Sequence, residues 1–335
     1  DYYSSNRLTN SAKLDNVTIQ NGYTSGFGAG MYNKYASPEI TNCTFSGNSA
    51  TGDYSRGGGM SNYNSSSPSL TNCTFSGNSA SYSGGGMYNY EGSPTLTNCT
   101  FSNNRASSEG GGMLNTASSS PVLTNCTFSN NSAEDYGGGM CNYFFSSPVL
   151  TNCILWGNTA SSSGNEIHND DTNNKPTIDT CIIKGGYSSY GTYTNIITED
   201  PKLMPLGNYG GNVQTCPVGA GSSAIGAGKV VEGVTTDARG FTRFSSSPTI
   251  GACEYQNKLI VASILTSEGY LKYSSSYEFT LNANVSDVDG TFTYQWYKDG
   301  VAIAGAASSS YKTKQDVGTS KYTVVVSDGT TTITS

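Results

Sequence analysis

The sequence predicts an all-β chain whose residues 1–198 form a right-handed parallel β-helix, a solenoid of coils about 27 residues long. Residues 199–257 are read as its C-terminal cap segment and 258–335 as a β-sandwich. Three observations carry this. The stretch "SPTLTNCTFSNN" from Ser93 returns as "SPSLTNCTFSGN" from Ser67, "SPVLTNCTFSNN" from Ser120 and "SPVLTNCILWGN" from Ser147. The repeats hold Gly runs, Pro, β-branched residues and Asn without a 3.6-residue period, which favours short strands and tight bends. After Tyr255 the pattern changes to apolar–polar alternation in "YEFTLNANV", "FTYQWYKDG" and "KYTVVVSDG".

The prolines Pro38, Pro68, Pro94, Pro121, Pro148 and Pro176 set the coil length, with steps of 30, 26, 27, 27 and 28 residues. Each is followed five residues later by a cysteine: Cys43, Cys73, Cys99, Cys126, Cys153 and Cys181. Leu96 and Phe101 are an odd number of residues apart, so one uninterrupted strand cannot turn both inward. Asn98 between them tolerates the left-handed conformation and makes the corner. Leu96, Cys99 and Phe101 then point into the core. Met87 of "GGGMYN" does the same, Tyr88 faces out and Asn89 ends the strand, which makes three strands and three bends per coil. Coils stack at about 4.8 Å, so the six cysteines form an internal column of buried thiols. Asn42, Asn72, Asn98, Asn125 and Asn152 form a second column, their amides bonding coil to coil.

Composition narrows function. The 335 residues include 41 Gly, and charged residues are only 12%, about half the usual level. A net charge of -7 with 17 Lys and Arg gives no nucleic-acid footprint. No apolar run reaches the roughly 18 residues of a membrane helix, so membrane insertion is not expected in this segment. The chain opens at Asp1 without a signal-peptide pattern and is expected to be a mature or trimmed product, extracellular or at a cell surface.

The pairing of "FSGN" or "FSNN" (Phe45 to Asn48, Phe75 to Asn78, Phe101 to Asn104, Phe128 to Asn131) with "GGGM" (Gly57 to Met60, Gly84 to Met87, Gly110 to Met113, Gly137 to Met140) resembles the polymorphic outer-membrane protein repeat. That family has Gly-Gly-Ala-aliphatic where this chain has Gly-Gly-Gly-Met, so the match is to the wider group of bacterial β-helix surface proteins. It implies a secreted or surface-displayed, adhesin-like protein and brings no catalytic residues. "PLGNYGGNVQT" (Pro205 to Thr215), "GSSAIGAG" (Gly221 to Gly228), "TDARGFTR" (Thr236 to Arg243) and "IGACEY" (Ile250 to Tyr255) resemble the closing segment of secreted bacterial β-helix proteins. Such a segment is expected to seal the open end of the solenoid. Cys216 and Cys253 fall there, either as a disulfide staple or as two buried thiols. "YQWYKDG" resembles the middle of an immunoglobulin-like domain, with Trp296 as the core tryptophan and Tyr322 as the tyrosine-corner candidate at a spacing two residues too long.

Chemistry has few places to reside. A β-helix polysaccharide lyase or hydrolase needs paired carboxylates, or a basic residue beside acidic Ca²⁺ ligands. The coils offer instead an edge of variable loops with Asp53, Tyr54, Arg56, Tyr82, Glu109, Asp135 and Tyr136. Solvated turns are the plain interpretation of that edge, and a shallow carbohydrate- or Ca²⁺-binding surface the functional one. His168, aligned with Tyr88, reads as a surface histidine, and Glu166, Asp170 and Asp171 as a weak metal candidate. Tyr32, Tyr63, Tyr88, Tyr90 and Tyr143 form a stripe that stabilises the stack or binds a ligand. The expectation is a non-catalytic adhesin-like or structural module without a resident cofactor. Its expected partners are surface glycans, proteins of a host or neighbouring cell, or further copies of itself. A polysaccharide-degrading enzyme and a self-assembling filament subunit are the alternatives.

Overall fold

The computed structural model describes residues 12–256, 260–266, 277–286, 292–315, 320–327 and 332–334. The chain divides into two units, residues 1–207 with 211–255, and 208–210 with 256–335.

The first unit is a parallel β-solenoid, and its coils carry four strands where the sequence suggested three. In the coil beginning at Ser93 these are Thr95–Thr97, Thr100–Ser102, Arg105–Ala106 and Met113–Thr116. The expected corner is present: Asn42, Asn72, Asn98, Asn125 and Asn152 all have φ of 52–53°. A second corner follows the Phe-Ser pair, at Gly47, Gly77, Asn103 and Asn130, and the Leu155-Trp156 pair, at Gly157, again with positive φ. It splits off a two-residue strand whose alanine, such as Ala80 or Ala106, turns inward and is buried.

Strands pair in register from coil to coil, Leu70 to Leu96 to Leu123 and Phe75 to Phe101 to Phe128. The two long faces meet in the last coil, where Thr177–Ile183 runs through the corner as one strand and pairs with Thr192–Ile197. The Phe rings stack with centroids 4.6–4.7 Å apart and nearly parallel planes. The six predicted cysteines lie in this core at 0–1% exposure, all with free thiols.

The glycine triplet lets the fourth strand lie close to this stack. Gly84 has φ +69°, and a Cβ on Gly86 would come within 2.5 Å of the Gly112 carbonyl oxygen and 2.9 Å of the Phe101 ring. Side chains are excluded there as long as another coil follows.

Two internal asparagine ladders accompany the corner column. One runs Asn48, Asn78, Asn104, Asn131 and Asn158, each Nδ2 donating to the next Oδ1 at 2.8–2.9 Å. The other runs Asn33, Asn62, Asn89, Asn115, Asn142 and Asn169 in the same way. Buried amides tolerate this position because every donor and acceptor finds a partner.

The cap segment, residues 199–257, was expected over the open end. Its residues 211–255 run instead along the flank of the solenoid. The Thr74 hydroxyl donates to the Gln214 carbonyl, Gly251 N–H to Asn152 O, and Ala252 N–H to the Thr127 hydroxyl. Thr74, Thr100, Thr127, Ile154 and Ile182, which point away from the core, are therefore buried. The last core layer packs against Tyr187 and Ile196. "TDARGFTR" and "IGACEY" supply a buried ionic cluster: Arg239 pairs with Asp237 at 2.8 Å and Arg243 lies 3.7 Å from Glu254. Cys216 and Cys253 are buried free thiols, so the staple is absent.

The second unit holds two antiparallel sheets. One orders Ile260–Thr266, Tyr277–Ser286 and Ser310–Gln315; the other orders Val301–Ala302, Thr293–Lys298, Tyr322–Ser327 and Thr332–Thr334. Leu281 from the first and Trp296, Val324 and Val326 from the second share one buried cluster. The Trp296 indole N–H donates to the Ser308 carbonyl.

Candidate functional site

The fourth strands, Met60–Tyr63, Met87–Tyr90, Met113–Thr116, Met140–Asn142 and Ile167–Asn169, turn Met or Ile and Asn inward. The residue between them points to the opposite face. Tyr88 and Leu114 in that column are only 4% exposed and Cys141 is fully buried. The outward face of this sheet is therefore a second apolar layer rather than a solvated surface.

Two ridges enclose it. The first is the residue before each glycine triplet or its equivalent: Phe27 bridges Arg56, Arg56 bridges Ser83, and Glu109 bridges Tyr136, which bridges Ser163. Ser83 donates to Glu109 at 2.6 Å and joins the two segments. The second ridge is Tyr63, Tyr90, Thr116 and Tyr143, with Tyr63 and Tyr90 stacked at 4.6 Å. Between them a cavity of about 220 Å³ is lined by Arg56, Tyr82, Tyr88, Glu109, Tyr143 and Asp170 among others. It collects side chains from five successive coils, a span of roughly 19 Å at strand spacing.

The expected edge residues divide. Arg56, Tyr82 and Glu109 line the cavity, and Tyr136 belongs to the same outer layer. Tyr54 is 70% exposed and touches Tyr82 edge-on at 5.5 Å, outside the cavity lining. Asp53 is exposed, and Asp135 accepts a hydrogen bond from Ser108 at 2.8 Å. The stripe residues Tyr88 and Tyr143 enter the cavity. Asp170, named from the sequence as a metal candidate, also lines it, as do Ser83, Leu114, Thr116 and Phe144, which were not anticipated as ligand contacts.

His168 is half-buried rather than on the open surface. Its ring stacks on Tyr136 at 4.6 Å, Nδ1 lies 3.1 Å from the Ser163 hydroxyl, and burial pushes its pKa below the ordinary imidazole value. The proposed metal triplet comes apart. Glu166 is buried inside the solenoid, Asp171 accepts from Asn173 N–H at 2.7 Å in its own turn, and only Asp170 reaches the cavity. Among the described residues no three His, Cys, Asp or Glu side chains are grouped to hold a metal ion.

Glu166 occupies the column of the third glycine, where no further coil follows in that sheet. Its carboxylate terminates an asparagine ladder, accepting from Asn158 Nδ2 and from Gly157 N–H. Burial outweighs these donors and pushes its pKa up to about 7.

This geometry, a stack of repeated parallel coils paired in register, defines a β-helix repeat protein. A family model described as the right handed beta helix region matches residues 4–183, more than half of the chain, and the chain belongs to that family. Comparison with curated proteins and with solved structures gives no significant match.

Proposed function

We propose that the protein is an extracellular, non-catalytic display module that holds a glycan in the groove over its fourth strands. The observation that carries this is the convergence of aromatic and polar side chains from five coils on one axial groove. Ring faces of Tyr82 and Tyr143 suit the apolar faces of sugars, while Glu109, Asp170 and Thr116 offer hydrogen-bonding groups. An axial groove matches a linear ligand better than one reacting centre. The resemblance to bacterial surface β-helix proteins supports an adhesin-like role, and the two-sheet unit around Trp296 supports an immunoglobulin-like spacer. A glycan array probed with the intact chain tests the proposal. Binding that drops at least tenfold in the Tyr82→Ala and Tyr143→Ala variants supports it; no binding, or binding unchanged in both variants, refutes it.

One observation favours a second interpretation: Glu109 and Asp170 share the cavity, as the carboxylates of a polysaccharide hydrolase would. Turnover of a polysaccharide lost in Glu109→Gln and in Asp170→Asn would establish that enzyme instead.

A further inference from the structure

We propose that Arg56 makes this groove selective for a saccharide bearing a singly charged acidic group, a carboxylate or a sulfate ester. The inference rests on the glycan reading of the groove and adds the charge of its ligand. Arg56 is fixed before any ligand arrives. Its guanidinium lies 4.8 Å from the Tyr82 ring, 5.4 Å from Tyr88 and 6.0 Å from Phe27. A guanidinium held against rings through its face keeps N–H donors at its edge for a ligand.

Those donors are uncommitted. Among the described residues, the Arg56 side chain has no ion pair or hydrogen bond. The nearest acid along its ridge, Glu109, is taken up by the Ser83 hydroxyl at 2.6 Å. Among the described residues Arg56 is also the sole cation in the cavity lining, which matches one negative charge rather than a phosphate dianion. Two parallel N–H donors on a planar acid group would supply the recognition.

The groove is also polarised along its length. Arg56 stands in the second repeated coil, Glu109 two coils further on, and Asp170 two coils beyond that. Carboxylates accept hydrogen bonds from sugar hydroxyls and repel an acidic substituent. The ligand therefore lies in one direction, acidic residue at Arg56 and neutral residues toward Asp170. Nonspecific attraction does not account for acid binding here, because the chain carries a net charge of -7.

The test compares glucuronate-containing and sulfated oligosaccharides with their neutral counterparts, by calorimetry on the intact chain and on Arg56→Gln, Arg56→Lys and Tyr143→Ala. At least one acidic series should bind about tenfold or more tighter than its neutral counterpart, and which one identifies the acid group. Arg56→Gln should erase that preference, and Arg56→Lys should restore only part of it. Equal binding of acidic and neutral series, or a preference that survives Arg56→Gln, overturns the proposal. If equal binding is lost in Tyr143→Ala, the glycan reading stands and the acid preference alone fails. If neither series binds, both fail.

Discussion

Arg243 reaches back 145 residues to Asn98, its Nη2 donating to the corner amide's Oδ1 at 2.9 Å. The same guanidinium donates to the carbonyls of Thr249, Gly251 and Ala252 and lies beside Glu254. One buried side chain therefore clamps the flanking segment to the solenoid. Arg243→Ala leaves Glu254 buried without its cation and should cost about 3–5 kcal/mol. Urea titration should read that loss, and limited proteolysis should cut first within residues 211–255. Equal stability and an uncut flank would disprove the clamp.

The thiols give a second prediction. All nine cysteines are free and buried, and burial holds the thiols of Cys99, Cys126 and Cys181 well above their ordinary pKa. Titration with a thiol reagent should find almost none reactive in the native chain and nine after denaturation. Cys99→Asp should cost several kcal/mol by burying an unpaired charge. Cys99→Ser should be milder, since the Thr97 carbonyl, 3.4 Å from the thiol, can accept from a hydroxyl.

Asn104 tests the internal ladder. Its Oδ1 accepts from the Asn78 main chain and amide, and its Nδ2 donates to Asn131 and to the Phe75 carbonyl. Asn104→Ala should cost about 2–4 kcal/mol in thermal or denaturant unfolding, because it strands buried partners in both neighbouring coils. A loss under about 0.5 kcal/mol would mean the ladder adds no stability.

Glu166 makes stability depend on pH. Its folded pKa of about 7 stands above the ordinary 4.5, so below pH 4.5 the group is neutral in both states. As pH rises toward 7 the unfolded chain ionises first, and stability falls by about 3 kcal/mol before levelling off. Glu166→Gln should remove this part of the slope and unfold later than the wild type above pH 7. Parallel pH profiles for the two chains would refute the assignment.

The corner at Asn98 could be read in the sequence because Leu96 and Phe101 break strand parity, and only a turn repairs it. The second corner at Gly77 or Asn103 breaks no such rule. The residues after it are small and polar, so the short third strand through Ala80 or Ala106 left no pattern. The groove was partly legible, through the loop residues Arg56, Tyr82 and Glu109. Its floor was legible only at Tyr88 and at His168 aligned with it, since Leu114 and Cys141 share their column but not their chemistry, and only register relates them. Thr74, Thr100 and Thr127 likewise look like solvent-facing strand residues. Their cover comes from far along the chain, as the bond from Thr74 to Gln214 shows, and local periodicity cannot reveal it.

The asparagine ladders carry an arrow. In both internal ladders each amide donates toward the C-terminal coil, so the last amide needs a partner that accepts: Asn158 meets the Glu166 carboxylate and Asn169 the Tyr187 hydroxyl. The corner ladder points the other way and ends on Asp15, which accepts from Asn42 at 3.0 Å. A copied interior coil inserts one amide into each row and leaves these terminators untouched. The number of coils can therefore drift by duplication or loss, while the first and last coils hold chemically distinct residues that no interior repeat can replace.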